Sequence, residues 1–182
     1  MKKIIAVFIT FFLIIGIIFI ALGNGNSKTI KNDQITVVTS LFPEYDFVKQ
    51  IGKDKVNVEI LLPPGTESHT YEPTPNDIVN INNSDLFIYT SDNMEPWAKK
   101  IANSIDSDTT IIQAGNNINL IEIEHNHDEH EGENEESHQY DTHVWLNPLN
   151  SIQMVKNITD KLCEISPENA EFFRTNAEEY IN

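Results

Sequence analysis

From Gln34 onward the sequence alternates short β-branched runs with stretches of helix length, joined by connections of only a few residues. That rhythm constrains the fold more than any other feature. Ile35-Thr36-Val37-Val38-Thr39 reads as a strand. Pro43 to Gly52 reads as a helix with Tyr45, Phe47 and Val48 turned inward and a glycine stop. Val56 to Leu61 forms a second strand, ended by the Pro63-Pro64-Gly65 turn signal. Thr74-Pro75 caps and opens a helix through Asn83, because the threonine hydroxyl can accept from a first-turn amide and proline tolerates the first helical position. Leu86 to Tyr89 is a third strand, Pro96 to Ser104 a helix, and Thr109 to Ile112 a fourth strand. Strands alternating with helices in this way predict an α/β lobe: a parallel four-stranded sheet flanked by helices, with ligands gathered at the carboxyl ends of the strands.

Glu122 to Asp141 breaks the rhythm. It holds nine acidic residues, no lysine or arginine, and four histidines, His125, His127, His130 and His138. No packed core can be built from such a composition, so it reads as a disordered insertion. Asn147-Pro148 then starts a helix with Ile152, Val155, Ile158, Leu162 and Ile165 on one face. A last helix is expected from Pro167, carrying Phe172, Phe173, Ala177, Tyr180 and Ile181, and the sequence ends at Asn182 within that pattern. Residues 34–166 are thus expected to form the lobe, and residues 167–182 the start of a helix leading out of it. An apolar stripe on that helix without a second packing partner would invite self-association.

Ahead of the lobe, Lys2 and Lys3 precede 19 residues, Ile4 to Leu22, in which Thr10 is the single polar side chain. A basic start followed by an apolar run is an export signal. Ala21-Leu22-Gly23 offers small residues for cleavage after Gly23, while the length also suits an uncut membrane anchor. Residues 24–33 are polar and read as a linker. Either way the body faces the periplasm or the outside of the membrane. No cysteine lies near the cleavage point, so a cysteine-linked lipid is excluded there. The lone Cys163 also excludes an internal disulfide framework, a cysteine zinc knuckle and an iron–sulfur cluster. A net charge of −16 argues against nucleic acid as a partner and suits cations.

All six histidines fall between His69 and His143. His69 follows the second strand, and His143 precedes a helix, so both occupy loops at the expected mouth of the sheet. Neutral imidazole suits Zn²⁺ in tetrahedral sites that mix histidine with carboxylate. Such ligands must be unprotonated, so binding is expected to weaken as pH falls through the ordinary imidazole range, about 6.5.

The stretches His69-Thr70-Tyr71-Glu72-Pro73-Thr74-Pro75-Asn76-Asp77 and Asp141-Thr142-His143-Val144-Trp145-Leu146-Asn147-Pro148 resemble the two metal-binding motifs of the zinc/manganese substrate-binding proteins of ABC transporters, a family that includes adhesin-like lipoproteins. Ser40 to Val48 and Asn93-Met94-Glu95-Pro96-Trp97 support the resemblance, which covers residues 34–182. It implies one lobe of a two-lobed metal-binding protein, with His69 and His143 as metal ligands from the N-terminal lobe. Glu72 and Pro73 would shape the first loop rather than bind the ion. The family's second lobe would supply a third histidine and a carboxylate. Thr142 and Asn147 stand where the family usually has proline and aspartate, and neither change removes a donor. A His-rich acidic loop resembles the zinc-specific members, and imidazole-rich ligand sets favour Zn²⁺ over Mn²⁺. The loop histidines would then collect Zn²⁺ near the cleft.

The function so implied is extracytoplasmic capture of Zn²⁺ for an ABC permease in the membrane, with no turnover. No His-Glu-x-x-His helix and no paired Ser or Cys nucleophile points to an enzyme. The alternative is a membrane-anchored adhesin-like or metal-buffering protein that uses the His-rich loop without transport.

Overall fold

In the computed structural model, which describes residues 34–63, 65–105, 108–120 and 140–182, four strands pair in the order β2-β1-β3-β4. They are β1 (Ile35–Thr39), β2 (Val56–Ile60), β3 (Leu86–Tyr89) and β4 (Thr110–Gln113). Every pairing is parallel: Val37 lies opposite Val58 of β2 and Leu86 of β3, and Ile88 lies opposite Ile112 of β4. Five helices connect and cover the strands: α1 (Phe42–Gly52), α2 (Pro75–Asn82), α3 (Pro96–Ala102), α4 (Pro148–Ile165) and α5 (Ala170–Ile181).

Side chains alternate across a strand, so a central strand feeds two cores at once. From β1 and β3, Val37, Leu86 and Ile88 join Phe47, Val48 and Ile51 of α1 and Met154, Ile158 and Leu162 of α4 in one cluster. Their neighbours Val38, Phe87 and Tyr89 pack on the other face with Ile81 of α2 and Trp97, Ala98 and Ile101 of α3. The expected parallel sheet with helices on both faces is therefore present. Gln34–Asn182 form one compact unit.

Several boundaries differ from expectation, each for a physical reason. The glycine stop of α1 is not where the chain turns: Gly52 is still helical, and the positive φ of 45° belongs to Lys53. Gly52 is required instead by proximity, because a Cβ there would lie 2.3 Å from Val56 Cγ1. In α4 the buried positions are Met154, Val155, Ile158, Thr159, Leu162 and Cys163, with Ile152 and Ile165 only half-buried. After Pro167 comes a single 3-10 turn, and α5 begins at Ala170.

The apolar stripe expected to lie bare on the last helix is largely covered, with Tyr180 the large ring that stays exposed. α5 packs against both α1 and α4. Phe173 and Ala177 are buried, Phe172 and Ile181 rest against the same core, and Tyr180 donates from its hydroxyl to Asp46 Oδ2 at 3.0 Å. Among the described residues no helix is long and apolar enough to cross a membrane. The leader 1–23, the linker 24–33 and His125, His127, His130 and His138 of the acidic loop lie outside the described residues.

Candidate metal centre

The loop after β2 is set by its own side chains. Thr74 and Asp77 form a capping box at the head of α2: Asp77 N–H donates to Thr74 Oγ1 at 3.3 Å, and Thr74 N–H donates to Asp77 Oδ2 at 2.7 Å. The same Oδ2 accepts from the Tyr71 hydroxyl at 2.8 Å. Partial burial, together with that bond, pushes the phenol up to about 12, so Tyr71 stays a neutral donor. Its ring meets Trp97 edge to face, with centroids 5.1 Å apart. The buried Trp97 indole N–H donates to the Ser68 carbonyl at 2.9 Å, which anchors the loop one residue before His69. The His69 amide donates to Glu67 Oε1 at 3.0 Å.

The second loop reaches the same place from the opposite end of the chain. His143 N–H donates to Asp141 Oδ1 at 2.9 Å, and its ring Nδ1 lies 3.3 Å from the same oxygen. Val144–Leu146 make one 3-10 turn, and Asn147 caps α4 by accepting from the Leu149 amide at 3.0 Å. Asparagine thus fills the capping role at the position where the family pattern has aspartate.

The result is that His69 and His143, 74 positions apart in the sequence, face each other with ring centroids 5.8 Å apart and planes at 79°. Two imidazoles sharing one tetrahedral zinc, at about 2.0–2.1 Å from each nitrogen, place their centroids about 5 Å apart. Both side chains are exposed at the mouth. Phe42 in the first turn of α1, Leu146 in the turn after His143 and Leu149 in the first turn of α4 are exposed. Among the described residues no group of three or more His, Cys, Asp or Glu is arranged to hold a metal. Among the described residues, the two facing imidazoles are what the fold brings together at this mouth.

Against known proteins, residues 37–182 match the family of the periplasmic zinc-uptake complex component A, ZnuA. The chain belongs to the ZnuA family. It is 41% identical over 169 residues to the high-affinity zinc uptake system protein ZnuA of Bacillus subtilis, covering 88% of this chain and 52% of that protein. It is 37% identical over 151 residues to the zinc-binding lipoprotein AdcA of Streptococcus pneumoniae, covering 81% and 30%. Among solved structures, the metal-dependent lipoprotein YcdH of B. subtilis superposes with a TM-score of 0.70 at 38% identity, over 81% of this chain and 51% of that one. The Zn(II)-bound ZnuA-like domain of S. pneumoniae AdcA gives 0.69 at 34%, over 81% and 51%. This ZnuA-family chain spans about half the length of ZnuA of B. subtilis and under a third of AdcA.

Sequence reasoning assigns no role to four residues that the fold brings into play. Asp141 and Trp97 hold the two histidine loops. Glu44 and Glu95 are fully buried acids. Burial, and secondarily the charge of Glu95, pushes Glu44 up to about 8; burial also raises Glu95. In the sequence Glu44 looks like an ordinary first-turn acid of an amphipathic helix.

Proposed function

We propose that this lobe captures Zn²⁺ outside the cytoplasm through His69 and His143 and takes part in delivering it to an ABC permease. The observation that carries this reading is the 5.8 Å approach of two exposed imidazoles from motifs 74 positions apart. Asp141, beside Nδ1 of His143, would leave Nε2 as the metal-facing nitrogen, the arrangement by which ligating histidines are oriented. The exposed Phe42, Leu146 and Leu149 suit closure by a second lobe, as in a two-lobed binding protein. The acidic loop with His125, His127, His130 and His138 is assigned an auxiliary role in concentrating the ion, and the N-terminal apolar segment the role of export or anchoring.

Isothermal titration with Zn²⁺ tests the assignment. His69→Ala and His143→Ala should each abolish the tightest site while leaving any weaker loop binding in place. Unchanged tight binding in both variants would move the function to the acidic loop.

A further inference from the structure

In a sheet ordered β2-β1-β3-β4 the winding reverses between β1 and β3, and the crevice at the carboxyl ends of those two strands is where open α/β folds place ligands. Here that position is filled by two acids. Ser40 is the residue after β1, and Thr90 the residue after β3. The Ser40 hydroxyl donates to Glu95 Oε1 at 2.6 Å, the Thr90 amide to the same oxygen at 3.2 Å, and the Ser91 amide to Glu95 Oε2 at 3.1 Å. The Thr90 hydroxyl donates to Glu44 Oε1 at 2.6 Å, while Glu44 Oε2 receives no donor from any described residue. Both acids are 0% exposed, and among the described residues neither forms an ion pair.

Two negative charges converging on one threonine, with no cation facing them, are costly in a buried setting. One proton removes the conflict. Glu95, with three donors, is the better carboxylate, and Glu44, with one, is the better acid. Among the described residues, Tyr89 of β3 feels the charge of Glu95, and burial and Asp92 keep it neutral; Asp92 is itself matched by Lys99 at 2.7 Å. The pair also reaches the metal mouth. Glu95 leads directly into α3, and two residues on, Trp97 holds the Ser68 carbonyl beside His69 and packs on Tyr71.

We propose that Glu44 and Glu95 share a single proton, held on Glu44, and together position the head of α3 and the His69 loop, so that zinc binding at the mouth weakens when this proton is lost at alkaline pH. The second half of this statement rests on the zinc reading of His69 and His143; the first half does not. Burial, which pushes Glu44 up to about 8, places the loss just above neutrality.

Two measurements test it. Carbon-13 NMR of glutamate-labelled protein should show one side-chain carboxyl that stays protonated above pH 7; complete ionisation of all glutamates by pH 6 would overturn the proposal, and this arm needs no variant. Zinc titrations from pH 7 to 9, above the ordinary imidazole range, should show wild type and Glu44→Gln alike at pH 7. At pH 9 the wild type should have lost affinity severalfold relative to Glu44→Gln, whose neutral amide mimics the protonated acid. Parallel profiles would overturn the positioning role. Failure of zinc to bind any variant would instead refute the zinc reading and with it the link to the mouth, while the NMR arm still decides the shared proton.

Discussion

Asp141 Oδ1 serves His143 twice, through the backbone amide and through the ring. Removing it frees the ring to rotate and removes the acceptor that fixes its tautomer. Asp141→Ala should therefore weaken zinc binding about 10- to 100-fold, read by competition with a chromophoric chelator; an unchanged affinity would mean that the ring is oriented by something else. Asn147 acts on a helix instead of a ligand. Its loss in Asn147→Ala leaves the Leu149 amide without its acceptor and should cost about 1 kcal/mol in urea unfolding. The two histidines and Asn147 are legible in the sequence because each sits in a contiguous motif whose neighbours announce a loop or a helix start. Glu44 and Glu95 are not. Each reads locally as a solvated acid near a helix start, and their meeting depends on β1 and β3 being neighbours in the sheet, which no local pattern states.

Among the elements, β3 is plain from its residues because four consecutive apolar side chains suit a strand buried on both faces. Helices opening on Pro75, Pro96 and Pro148 are also clear, since proline marks the first turn. Helix ends are less legible. Gly52 looks like a stop signal, yet its role is close packing against β2, a tertiary fact. Gly52→Ala would push a Cβ into a buried, β-branched Val56 that has no room to withdraw. It should cost about 1–3 kcal/mol, as overpacking does, and thermal melting would show it; a neutral result would mean that α1 can slide along the sheet. The apolar pattern of α5 suggests a helix left partly bare, and it is instead a structural member of the lobe. Phe173, at 0% exposure between α1 and α4, should cost about 3–5 kcal/mol when cut to alanine. A loss below about 1 kcal/mol in chemical unfolding would place α5 outside the cooperative unit.

The lobe as a whole should respond to pH in an unusual direction. Glu44 moves from 4.5 in the open chain to about 8 in the fold, so between those values the native state holds a proton that the unfolded state has released. This contribution is fully present only below about 4.5 and is lost progressively as pH rises to about 8, raising the unfolding constant by up to about tenfold per pH unit across that window. Denaturant midpoints at pH 5.5 and 8 should therefore fall with rising pH in the wild type, and much less in Glu44→Gln; equal falls would assign the slope to other groups. A second property of the whole follows from where the indoles lie. Both tryptophans of the chain border the histidines: the Trp145 ring is 5.4 Å from His143, and Trp97 is bonded to the carbonyl that precedes His69. Each is placed to sense a change in charge or rigidity next to the imidazoles. If zinc binds as proposed, ultraviolet emission from the unlabelled protein should serve as a built-in optical gauge of occupancy, with one indole beside each histidine.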